Sequence, residues 1–307
     1  MTKNKINSLI TIVVIAIIGI GLFISCKDDN SFSEGKNISS KSNSTNNQNP
    51  FEIVGITHNE ILNDFPNNVS LDNYTLNDIY SYNLNKGYLD NSISSDTFSL
   101  QILSISKFML HYTLSEEDLI YSSTEDQVVS FYMGRVKEMF VEMINENKEM
   151  TPEEFSERIN LIEDELIALD LHDKGDIFDK ELNKYSMLLS SLSTARHSYS
   201  FWYDAYYNKE NPWHNLLLSR VNNVGAKGPF WDFLCDAADA LLAVGKAVVA
   251  VVGFVPADIG GGLYSGFTGF TGNGTSGNPY GPTFSIPGMI TGGWNTSCGV
   301  ARWGFGY

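Results

Sequence analysis

Chemistry in this chain has to come from a few residues: Cys26, Cys235 and Cys298, five histidines, and the carboxylates around them. Three cysteines are too few for a four-thiolate zinc site or a disulfide scaffold. His58, His111, His172, His197 and His214 are scattered, with no two at ligand spacing on one helix face and no HExxH. The run Asp170-Leu171-His172-Asp173-Lys174-Gly175-Asp176 has the residue types of a metal loop. It lacks the alternating acids and closing Glu that wrap calcium, so it reads as a helix–helix turn. Glu163, Asp164 and Glu165 read as a solvated helix face, not a catalytic pair. GxSxG, Walker A and GxGxxG are missing from any strand–turn–helix context. The sequence therefore predicts no catalytic residue, no metal and no cofactor.

Cys26 is the exception. Lys3 and Lys5 precede an apolar run from Leu9 to Ile24, and Phe23-Ile24-Ser25 lead directly into Cys26. A positive start, an apolar core and a small residue at the cut describe a secretory signal. With the cysteine placed after the small residue, the segment resembles the lipobox of bacterial lipoproteins. That resemblance implies cleavage before Cys26 and acylation of its thiol and new amino group, with residues 1–25 as signal peptide. Phe23 stands where Leu is usual, and Ile24 is bulky. Lys27-Asp28-Asp29 resemble the acidic export signal of Bacteroidota surface lipoproteins. The expected address is the outer membrane, cell surface first and the periplasmic face second. An uncleaved apolar anchor helix is the competing reading of the run. Acyl chains contribute about 0.8 kcal/mol per buried methylene, enough for several to hold the protein at a membrane.

Residues 26–50 are nearly all polar, Ser- and Asn-rich, and bury too little to offset chain entropy. They read as a flexible tether of roughly 25–30 Å reach. The whole chain has 307 residues and a formal charge of -16. Residues 1–25 hold Lys3 and Lys5, and residues 225–307 hold three cations against four Asp, which leaves residues 26–224 at -17. This acidity argues against nucleic acid and against anionic lipid surfaces as partners of the body.

The fold class is mainly α: an antiparallel helix bundle over 51–224, then an apolar helix and a Gly/aromatic-rich irregular region over 225–307. Apolar stripes run through Phe98, Ile102, Ile105 and Met109; through Val128/Val129, Tyr132, Val136, Met139/Phe140 and Met143; through Phe155, Ile159, Ile162, Leu166 and Leu169; and through Phe178, Leu182, Tyr185, Leu189 and Leu192. Thr151-Pro152-Glu153-Glu154 spells a capping box with Pro at the first helical position. Asp176, after Gly175, is a candidate N-cap. Val54–Phe65 and Thr75–Leu84 read as shorter helices closing one end. A last helix is expected in the aromatic stretch 193–223, broken before Pro212; its Tyr199, Phe201, Trp202, Tyr203, Tyr206, Tyr207 and Trp213 read as core or inter-domain packing, with a ligand platform as the alternative.

Of 26 glycines, 19 lie in residues 225–307. Residues 229–252 read as an apolar helix with a narrow polar stripe, about 36 Å long. Beyond it, Ile286-Pro287-Gly288 and Gly292-Gly293 look like breakers in a tail of turns and short strands. Cys235 and Cys298 form a candidate disulfide outside the cytoplasm. In composition, this quarter of the chain is similar to class II bacteriocins and, more loosely, to the hydrophobic hairpin of pore-forming colicins. The first expectation is a non-enzymatic, lipid-anchored envelope protein that binds an unknown protein or small molecule. The alternative is an antagonistic protein whose 225–307 segment attacks a membrane.

Overall fold

The computed structural model describes residues 49–89, 91–102, 127–146, 149–169, 180–222, 254–262, 265–266 and 286–303. Among these the protein is mainly helical, without strands, and its helices pack on one another. The elements are α1 (Glu52–Asn68), α2 (Leu76–Lys86), α3 (Gln127–Glu146), α4 (Pro152–Ala168), α5 (Lys180–Tyr207), α6 (His214–Asn222) and α7 (Ile286–Trp303). Residues 95–102 and 254–262 are also helical.

Local chemistry sets several of these boundaries. Thr151 accepts a hydrogen bond from the Glu154 amide, while Glu154 accepts from the Thr151 amide at 2.9 Å. That reciprocal pair satisfies two donors that would otherwise be orphaned at the start of α4. Thr75 and Asp78 build the same box on α2. Gly87 closes α2 at φ 72°, a left-handed conformation that glycine adopts without steric cost.

Helix α5 is the hub. It packs against α1, α4, α6 and α3, and at 1.5 Å per residue its 28 residues extend about 42 Å. Ser190, Ser191, Ser193, Thr194 and Ser198 are all buried along it. Small side chains let neighbouring backbones approach closely, and α1 does so at Gly55. A Cβ placed there would sit 2.4 Å from the Ser193 carbonyl oxygen. The predicted stripes bury as expected at Tyr132, Val136, Met139, Phe140 and Met143 on α3 and at Phe155, Ile159, Ile162 and Leu166 on α4. An aromatic knot surrounds Phe65, with Tyr74, Tyr82, Trp213 and Trp294 rings all within 6.1 Å of its centroid.

Three expectations need correction. The helices expected on either side of residue 193 are one helix, because no Gly or Pro interrupts residues 180–207 and the serines there are buried against α1. Residues 52–68 do not merely close an end. Val54, His58, Ile61, Leu62 and Phe65 are buried, and α1 runs along α5 in the core. Residues 286–303 are not irregular but form α7. Pro287 falls in the first turn, where no intrahelical N–H bond is lost. Gly292 and Gly293 do not break the helix, because they lie where its backbone meets Asp258, Gly261 and Ser265. A Cβ on Gly292 would come within 2.1 Å of the Ser265 hydroxyl, and one on Gly293 within 2.9 Å of the Asp258 carbonyl. Tertiary contact overrides the weak intrinsic helix propensity of glycine. Among the described residues, no helix is long and apolar enough to cross a membrane.

Candidate functional site

Two histidine–carboxylate clusters lie along the α1–α5 contact. The outer one starts from Glu52 in the first turn of α1 and adds Glu163 of α4 and Arg196 and His197 of α5. His197 Nε2 lies 2.7 Å from Glu52 Oε1. Arg196 pairs with Glu52 and reaches Glu163 at 3.3 Å. Glu163, fully buried, also accepts from the Asn49 side-chain amide at 2.6 Å. Burial disfavours the charged form of Glu52, but the His197 hydrogen bond and the Arg196 charge outweigh it and hold this carboxyl below its ordinary value.

The buried Glu163 corrects its placement on a solvated face; Asp164 and Glu165 are exposed as expected. Its position was legible. Residue 163 is four beyond Ile159 and three before Leu166, which sets it on the apolar stripe.

The inner cluster centres on Asp258, fully buried in the helical segment 254–262. Its Oδ2 accepts from Ser198 Oγ at 2.5 Å and from Trp202 Nε1 at 2.9 Å. Its Oδ1 accepts from Ser297 Oγ and lies 3.2 Å from His58 Nε2, an ion-pair distance without the alignment of a hydrogen bond. His58 Nδ1 faces Asn59 Oδ1 at 3.1 Å, while the Asn59 amide nitrogen donates to the His197 carbonyl at 2.8 Å. Both imidazole nitrogens thus face oxygens, which suits a charged ring. Burial pulls the His58 pKa down, yet the Asp258 charge and the contacts to Asp258 and Asn59 outweigh it, and the net shift is upward. Cys298 is a fully buried free thiol in α7, and burial together with the Asp258 charge pushes its pKa well up.

An oriented imidazole beside a carboxylate is the raw material of general base catalysis. The hydroxyl described beside Glu52, Ser193 Oγ, already donates to the Glu52 carbonyl at 3.0 Å and accepts from the Gly55 amide at 3.1 Å. The inner cluster is closed to solvent. A groove of about 190 Å³ lies elsewhere, over α3 and α4, with Met143, Met150 and Leu161 among its lining residues. None of its lining belongs to either cluster. The described residues contain no group of three or more His, Cys, Asp or Glu arranged to hold a metal.

Of the residues singled out in the sequence, Cys26, Lys27, Asp28, Asp29 and Cys235 lie outside the described residues, as do the loop 170–176 and the apolar stretch 229–252. Of the aromatic stretch, Tyr199, Phe201, Trp202 and Trp213 are in the core, Tyr203 and Tyr206 are half-buried, and Tyr207 is exposed. Sequence reasoning missed Asp258, Glu52 and Arg196, whose partners are 33 to 200 positions away. No protein-family model, curated protein or solved structure matches this chain.

Proposed function

We propose that this chain is a lipid-anchored protein of the bacterial cell envelope whose helical body acts as a non-enzymatic binding module. The observation that carries this reading is Ser25-Cys26-Lys27-Asp28-Asp29 directly behind an apolar, positively led segment. The body supports it in two ways. The Asn49 side chain is seated on Glu163 and on the Leu189 carbonyl at 3.0 Å. In the sequence, the polar residues 27–48 stand between the proposed anchor and this seat. The histidine clusters are ion-paired within the protein, His197 and Arg196 with Glu52 and His58 with Asp258, and no residue of either lines the groove. The proposed address is the outer membrane, facing the cell surface.

The membrane-active reading of residues 225–307 is less well supported, because α7 within that segment is buried against α1 and α6.

Growth of cells with a palmitate analogue, followed by capture of the full chain, tests the anchor. Wild-type protein is expected to carry label and Cys26→Ala to carry none. Equal labelling of both, or of neither, would remove the anchor. Dye release from liposomes by purified residues 51–307 tests the module. Intact vesicles are expected, and leakage favours the membrane-active alternative.

A further inference from the structure

The outer face of α3 and α4 carries features that the proposed anchor does not use. Met143 and Met150, both buried, floor the groove there. Leu161 walls it and is 61% exposed. Two further large apolar side chains stand out on the same pair of helices or at their end, Phe131 at 59% and Leu169 at 49%. Glu165 ties them together. It lies four residues from both Leu161 and Leu169 on α4, and pairs with Arg135, whose guanidinium carbon sits 5.9 Å from the Phe131 ring centre.

The rim is acidic. Among the described residues, Glu142, Glu154 and Glu157 line the groove with one cation, Arg158. Arg158 is itself held by Glu142 in a two-pronged pair, with one bond at 2.8 Å. Its charge is therefore spent within the protein. Glu157 and Asp164 are exposed on α4 on either side of Leu161. Thioether floors adapt to varied apolar side chains, and a groove between two helices is suited to an amphipathic helix laid into it.

Charge selects the occupant. A second copy would bring another body of -17 against an acidic rim, and an anionic lipid surface would be repelled in the same way. We propose that the α3–α4 face is a docking groove for a cationic amphipathic helix of a partner protein, apolar side chains seated over Met143, Met150 and Leu161 and Lys or Arg set against Glu154 and Glu157. This inference rests on the binding-module reading but not on the lipid anchor, which has its own test.

The probe is a labelled helical peptide of Leu and Lys, with a Leu/Glu peptide of the same pattern as counterpart, titrated into the full chain and read by fluorescence anisotropy. The Leu/Lys peptide is expected to bind and to weaken with salt, and the Leu/Glu peptide not to bind. Leu161→Asp and Glu157→Lys, both at exposed positions, are each expected to weaken binding about tenfold. Asp72→Lys, the same charge change at an exposed site outside the groove, is expected to have little effect. Circular dichroism confirms that each variant stays folded. If Asp72→Lys weakens binding as much as Glu157→Lys while Leu161→Asp does nothing, the attraction is bulk charge and the groove is overturned. Binding to phosphatidylglycerol vesicles in preference to the peptide overturns it equally. Loss of palmitate labelling with peptide binding intact would sink the anchor and leave the groove standing.

Discussion

Asp258 is the residue on which the interior most depends. A carboxylate fully removed from water is tolerated only when paired and hydrogen-bonded, and Ser198, Trp202, Ser297 and His58 supply that around it. Asp258→Ala strips the charge from beneath a buried imidazole and is expected to cost about 3–5 kcal/mol in urea unfolding. The pH dependence follows from two opposed shifts. His58 is raised, so its contribution is complete below its ordinary value of 6.5 and is lost as pH climbs through the folded value. Glu52 is lowered, so its contribution is present above 4.5 and is lost as pH falls through the folded value. Stability is expected to peak between these limits, and His58→Gln is expected to flatten the alkaline limb. Denaturant midpoints across pH, wild type against variant, check this. Cys298 offers a separate readout. Its buried thiol is expected to resist iodoacetamide in the native protein and to react in urea, as seen by peptide mass. At this scale little was legible beforehand. The position of Glu163 could be read from spacing, but the partners of Asp258 come from α1, α5 and α7, and no local pattern links them.

At the scale of elements, the legible parts were those set by local chemistry. The Thr151 capping box and the apolar stripes of α3 and α4 depend on residues within a few turns of one another. The unified α5 and the helical α7 were hidden because glycine and serine have weak intrinsic preferences, and what decides their state is the surface opposite. Gly55 and Gly134 separate these two cases. Gly55→Val drives carbon into the Ser193 carbonyl and is expected to lose about 1–3 kcal/mol or more. Gly134, inside α3, has open space around a would-be Cβ. Gly134→Ala is expected to gain about 0.5–1 kcal/mol from the lower entropy of its unfolded chain. Thermal melts of the two variants measure both signs.

For the whole molecule, apolar spacing indicated a helical body, while glycine content and charge drew a line at residue 225. Helix α7 lies beyond that line, yet it helps to build the core of the body. Trp294 packs on Phe65 and Tyr82, and the Tyr74 hydroxyl donates to the Cys298 carbonyl at 2.7 Å. A chain ending at residue 285 is expected to lose cooperative unfolding and near-UV circular dichroism, because Trp294, Cys298, Val300 and Ala301 all leave a fully buried position. Sharp, wild-type-like unfolding of that truncation would show the tail to be dispensable.

The seat of Asn49 has a mechanical meaning. Its side chain is bonded to Glu163 on α4 and to the Leu189 carbonyl on α5, and its Oδ1 accepts from the Phe51 amide at 2.8 Å. Tension applied to the chain ahead of Asn49 is therefore expected to load α4 and α5 as well as the first turn of α1.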